Sequence, residues 1–212
     1  MRIEKLTPPA RPGSPWTLVL ETGEKLKLTE GVVADFALYQ GGELDQPAME
    51  ELKEAAFAGA LREKTISLLT GRLMSAGQLK EKLLTKGATP RQAEELAAWA
   101  QDIGLLNDRE YAAALVRHYQ DRGYGVYKIK DELYRRKVPR EYWEEALEAL
   151  EALEEPGEQI SRLLAARLKD PTDPKQVKKA SDALVRRGFS WSQVSQGIEG
   201  FRRTWEDEQI GD

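Results

Sequence analysis

Three segments of this chain can be laid under one another: LKEKLLTKGATPRQAEELAAWA from Leu79, IKDELYRRKVPREYWEEALEAL from Ile129 and KASDALVRRGFSWSQVSQGIEGF from Lys179. Leu83, Leu133 and Leu184 fall into register about fifty residues apart, and so do Lys86-Gly87, Arg136-Lys137 and Arg187-Gly188. After each pair comes a cap-like residue or Pro139, then a helical pattern. A further helical pattern precedes each segment, over roughly 47–70, 107–121 and 156–169. The repeating unit is therefore three helices, present three times. One such unit buries too little apolar surface alone, so neighbours must stack and share a core. The expected fold is mostly α, with tandem three-helix repeats forming an elongated, curved array.

The helix starts carry the same message. Ser75 and Gln78, Thr89 and Gln92, Asn107 and Glu110, Asp173 and Gln176, and Ser190 and Gln193 each stand three apart. This is capping-box spacing: the first side chain accepts from an orphan backbone N–H, and the second reaches back to the cap's own N–H. Pro90 and Pro174 sit at the first helical position, where a missing N–H costs nothing. The stretch GLLNDREY (residues 104–111) invites a catalytic reading, but every residue in it has a structural task. Asn107 is the N-cap with Glu110 at N3. Leu106 and Tyr111 form the hydrophobic staple, and Gly104 stops the preceding helix.

The first 45 residues differ. SPWTLVLETGEKLKLTEGVV alternates with period two about Thr22-Gly23, which predicts a β-hairpin. A lone hairpin is marginal, so another strand or the first helix must complete it. The segment YQGGELDQP (39–47) links it to the helices. The expected divisions are an N-terminal β-hairpin extension over 1–46, repeats over 47–104, 105–154 and 155–205, and a tail over 206–212.

Function classes narrow quickly. The chain has no cysteine, which removes disulfides, thiolate nucleophiles and cysteine-held metals and fits a reducing compartment. His118 is the only histidine, so no His-pair metal site can form. No phosphate-binding glycine loop occurs; DRGYG (121–125) reads as a turn between helices. Neither a signal peptide nor a membrane span is present in the pattern, and a cytoplasmic monomer without cofactor or metal is expected.

Charge is more informative. Residues 117–140 hold eight Lys or Arg against three acids, with tyrosines between them; residues 141–158 hold eight Glu and no Lys or Arg. Arg117, Arg122, Lys128, Lys130, Arg135, Arg136 and Lys137, with Tyr124 and Tyr127, form the candidate partner-binding group. A smaller basic group is Lys175, Lys178, Lys179, Arg186 and Arg187. Such a polarised surface can steer a partner or meet a phosphate backbone. A helix–turn–helix DNA reader is the alternative, since IKDELYRRKVPREYWEEAL is two helices about a short turn. Its second helix offers Arg140 and then mostly glutamates, which suits a phosphate-lined groove badly.

GRLMSAGQLKEKLLTKG (71–87), IGLLNDREYAAALVRHY (103–119) and GVYKIKDELYRRKVP (125–139), in that order, resemble the RecX family of bacterial regulatory proteins. The resemblance covers about residues 60–205. It implies tandem three-helix repeats that bind the RecA recombinase filament on DNA and lower its ATP hydrolysis and strand exchange. The setting it implies is recombination, DNA repair and the SOS response. Arg136-Lys137-Val138 stands where the family's block often ends in Lys-Gly, so the turn before Pro139 lacks its glycine. Family members are often basic, whereas this chain has a net charge of -4. The expected partner is therefore the RecA filament itself, with only weak contact to single- or double-stranded DNA.

Overall fold

A computed structural model describes residues 1–11, 13–151 and 156–210. The chain divides into two compact units, one of Met1–Arg72 with Leu79–Leu105 and one of Leu73–Gln78 with Leu106–Asp212.

In the first unit, strands β1 (Ile3–Thr7), β2 (Trp16–Leu20) and β3 (Lys25–Leu28) form an antiparallel sheet in that order. The β2–β3 hairpin turns at Gly23, whose φ of +84° suits glycine. The expected hairpin is thus completed by a third strand. That strand escapes a period-two reading because its register shifts between Ile3 and Lys5, which breaks the alternation. Helix α1 (Glu30–Asp35), capped by Thr29, and the long helix α2 (Gln46–Gly71), capped by Asp45, follow. Ile3, Leu18, Leu20 and Leu28 of the sheet pack with Val32, Met49, Leu52 and Ala56 in one core. Helices α3 (Ala76–Leu84) and α4 (Pro90–Asp102) complete this part of the chain.

The second unit holds α5 (Asp108–Asp121), α6 (Val126–Arg135), a 3-10 turn (Arg140–Tyr142) running into α7 (Trp143–Glu151), α8 (Pro156–Ala165), α9 (Pro174–Arg186) and α10 (Trp191–Ile210). Tyr111, Leu115, Ile129, Leu133, Val138 and Leu147 belong to one core. Ile160, Leu164, Leu184, Phe189, Val194 and Ile198 belong to another. Helix α10 runs on to Ile210, through most of the segment expected as a tail. Glu154 and Glu155, and the expected boundary between the second and third repeats, lie outside the described residues.

Of the five expected helix starts, three close complete boxes. Ser75 with Gln78, Thr89 with Gln92 and Ser190 with Gln193 each exchange both bonds. Asn107 accepts from Glu110 N at 3.1 Å, but Glu110 is exposed and returns no bond among the described residues. Asp173 accepts from Lys175 N, and Gln176 donates to the Asp173 carboxylate instead of bonding its backbone. There the Asp170 carboxylate already organises the approach by accepting from Thr172 N and Oγ1.

The repeat shows most clearly where the second helix of each triplet ends. Gly87, Lys137 and Gly188 have φ of 90°, 55° and 91°. In each case the next residue's N–H returns to the carbonyl of the buried leucine: Ala88 to Leu83, Val138 to Leu133, Phe189 to Leu184. This is a Schellman-type stop with a buried apolar residue after it. Lys137 adopts the left-handed conformation without being glycine, at a cost of about 1–2 kcal/mol.

Two of these turns, both in the second unit, receive the start of another helix. Gly125 N donates to Arg187 O at 2.8 Å and Tyr127 N to Gly188 O at 3.1 Å, so α6 begins on the turn that ends α9. Ser75 Oγ donates to Arg136 O, and a Cβ on Gly77 would lie 2.6 Å from Lys137 Cβ. The segment Leu73–Gln78 is held on the turn that ends α6 in the same way. Among the described residues no helix start bonds to the turn at Gly87; the Phe57 ring lies against it.

Candidate partner-binding surface

The basic stretch spans the last turn of α5, the Arg122–Gly125 turn, α6 and the turn at Lys137. The structure distributes its members unequally. Arg117, Arg122, Lys130, Arg135, Lys137 and Tyr127 are exposed, whereas Lys128, Arg136 and Tyr124 are half-buried. Tyr124 packs on the α5–α7 core, against Tyr119 at 5.4 Å between ring centroids.

Three of these cations converge on one buried anion. Arg135 approaches the Glu132 carboxylate at 3.0 Å, Lys128 at 3.5 Å and Arg136 at 3.8 Å. The Glu132 side chain is only 8% exposed. Burial pushes its carboxyl up, but the hydrogen-bonded Tyr119 hydroxyl, Arg135 and Lys128 outweigh that and hold it below the usual glutamate range. Arg136 also donates to the Tyr111 hydroxyl at 3.1 Å, and that hydroxyl donates to Gln78. The spacing was visible in the sequence, since residues three and four apart meet on a helix. A count of charges over the stretch does not single out Glu132 as its internal anion.

Helix α9 carries the smaller group. Lys175, Lys178, Lys179 and Arg186 are exposed and make no ion pair among the described residues. Arg187 is turned inward: it donates to Arg122 O at 3.0 Å and Gly123 O at 3.1 Å, and stands over the Tyr124 ring. The start of α6 is bonded to the turn that ends α9, so the helix carrying Lys128, Lys130 and Arg135 is joined to the helix carrying the smaller group.

The helix start at Asn107 is placed as a start. Leu106 and Tyr111 are buried, and Asn107 holds Glu110 N. Its neighbour Asp108 does something the sequence does not signal. Asp108 is 2% exposed, and its Oδ1 accepts from Ala76 N at 2.9 Å, an amide of the first turn of α3. A carboxylate from one helix start thus satisfies an orphan amide of another.

The acidic stretch is exposed where its side chains are described. Glu141, Glu144, Glu145 and Glu148 are exposed, and Glu145 is held by the Arg109 guanidinium. His118 is exposed and edge-on to Tyr119. Among the described residues no cluster of three His, Asp or Glu side chains could hold a metal ion. No helix among them is long and apolar enough to cross a membrane.

Comparison with known proteins places these features. The family description "RecX, second three-helix domain" matches residues 107–147, which run from the Asn107 cap into α7. The regulatory protein RecX of Xanthomonas axonopodis pv. citri is 34% identical over 134 residues, covering 62% of this chain and 82% of the relative. That of Chromohalobacter salexigens is 33% identical over 149 residues, covering 69% and 93%. A crystal structure of a regulatory protein RecX superposes with a TM-score of 0.69 at 21% identity, covering 94% of this chain and 98% of that one. The crystal structure of RecX from Lactobacillus salivarius gives 0.59 at 20% identity, covering 70% and 98%. The fold is shared with both, and the identity and coverage of the relatives establish that this chain belongs to the RecX family of regulatory proteins.

Proposed function

We propose that this chain is a non-catalytic cytoplasmic regulator that binds the RecA recombinase filament on DNA and lowers its ATPase and strand-exchange activity. The observation that carries the proposal is family membership, combined with exposed cations on two helices bonded end to end. The contact surface comprises Arg117, Arg122, Lys130 and Tyr127, continued on α9 by Lys175, Lys178, Lys179 and Arg186. Arg136, Arg187 and Tyr124 support it from inside, because their polar or aromatic groups are engaged within the unit. The acidic balance of the whole chain favours a protein surface with phosphates nearby over independent DNA binding.

The test is the single-stranded-DNA-dependent ATPase of a cognate RecA, titrated with this protein beside a DNA-only binding control. Inhibition at substoichiometric protein is expected. A folded Arg117→Gln/Arg122→Gln/Lys130→Gln variant should need several times more protein for the same inhibition. Absence of inhibition by the wild-type chain, with tight duplex binding, would instead favour the helix–turn–helix reading.

A further inference from the structure

The repeat register makes α6 and α9 a matched pair with one telling difference. Lys128 corresponds to Lys179, Arg135 to Arg186 and Arg136 to Arg187. Asp131 and Asp182 also correspond, and both are exposed. Position 132, however, corresponds to Ala183. The same cation spacing therefore occurs twice on the same fold, once around a buried carboxylate and once around a methyl group. A three-helix repeat of this kind does not need the carboxylate to form.

The geometry around Glu132 defines its effect. Its side chain is buried, and the cations lie between it and solvent, with Arg135 69% exposed and Lys128 32% exposed. The anion cannot swing into water, but the outer cations can leave it. Arg135 is itself largely exposed, so a denser array of partner charges can compete with Glu132 for it. The competition still subtracts from the binding. A cation already neutralised holds fewer counterions to release, and counterion release is the main source of affinity for a phosphate backbone.

We propose that Glu132 is an internal counter-anion that withholds Arg135 and Lys128 from a phosphate backbone, so that α9, and not the more basic stretch around α6, is the principal anion-accepting helix. The proposal rests on reading this surface as the partner-facing one, and it reverses the ranking that a count of charges gives. Lys179 and Arg186 have the same spacing with no ion pair among the described residues. They meet a polyanion with no buried carboxylate at position 183 to hold them back.

The experiment measures binding of the full chain to a fluorescently labelled single-stranded dT oligonucleotide as a function of salt, using register-matched single substitutions. Arg186→Gln should weaken binding at least threefold and reduce the salt slope by about 0.7, the value for one phosphate contact on a single strand. Arg135→Gln, its counterpart, should change affinity less than 1.5-fold. Glu132→Gln should tighten binding at least threefold and steepen the slope, and in that background Arg135→Gln should then cost what Arg186→Gln costs. Equal losses from Arg135→Gln and Arg186→Gln in the wild-type chain would overturn the proposal. So would a folded Glu132→Gln variant with unchanged affinity, or no binding by either the wild type or that variant at low salt. Both single arginine variants are at exposed positions, so their comparison decides the matter even if Glu132→Gln does not fold. If the oligonucleotide results come out as expected while RecA inhibition is unaltered in all variants, the counter-anion stands. The assignment of this surface to the filament then fails.

Discussion

Replacing Gly188 by alanine tests whether the bonding of α6 to the end of α9 holds the second unit together. Gly188 has a φ of 91°, and a Cβ there would lie 2.3 Å from Lys128 N. Two costs follow. The left-handed backbone costs about 1–2 kcal/mol for a residue with a Cβ. The collision is with backbone, so it is relieved only by moving the start of α6 away from the turn. That loosens the bonds from Gly125 N to Arg187 O and from Tyr127 N to Gly188 O. Gly125 is buried, and leaving its donor without a partner costs about 1–3 kcal/mol. The expected loss is about 2–5 kcal/mol. Gly87→Ala supplies the control. Its turn has the same bonds and a φ of 90°, but the nearest atom to an added Cβ is the Phe57 ring at 3.5 Å. Only the backbone cost remains, about 1–2 kcal/mol. Urea unfolding of both variants, with hydrogen exchange of α6 and α9 to localise the loss, gives the comparison. Losses within about 0.5 kcal/mol of each other would refute the reasoning.

Asn107→Ala should cost about 0.5–2 kcal/mol by loss of the cap and leave partner regulation intact in the folded protein. Asp108→Ala should cost more than Asn107→Ala by the same unfolding measurement, because it leaves the buried Ala76 amide without its acceptor. Stability should also fall in acid through Glu132. Its folded carboxyl titrates below the unfolded value, so its contribution is present above the unfolded pKa. That contribution is lost as pH falls through the folded value, below the usual glutamate range. A wild-type Tm that drops more steeply below about pH 4 than that of Glu132→Gln is the expected result.

Much of the architecture was legible from residue pattern because local chemistry decides it. Capping residues stand at fixed offsets from buried leucines, and a fifty-residue register survives divergence of nearly everything else. The strand Ile3–Thr7 was not legible, since its bulge destroys the alternation that marks a strand. The left-handed Lys137 was not legible either, because a lysine carries no local signal for positive φ. It is held there by the Schellman bonds and by the contact with the segment around Gly77. In the candidate surface, the cations could be counted from the sequence but their commitments could not. Tyr111, 25 residues from Arg136, receives its guanidinium, and the carbonyls that hold Arg187 lie about 65 residues away. Partners so distant in the chain are set by tertiary packing. The cations around Glu132 are the exception, lying within one turn of the helix.

The two occupied turns also bear on how a chain of like repeats avoids assembling itself wrongly. Helix starts and turns of similar sequence offer mispairings during folding, a characteristic failure of repeat proteins. Here the turns are keyed. The start at Gly125 approaches its turn so closely that a Cβ at Gly188 would strike Lys128 N. The turn at Lys137 carries such a Cβ, so it rejects a start seated that deeply. It takes instead the start at Ser75, where Gly77 leaves room for the lysine and Ser75 bonds the preceding carbonyl. The side chain at position 137 thus distinguishes two turns whose backbone bonds are otherwise alike.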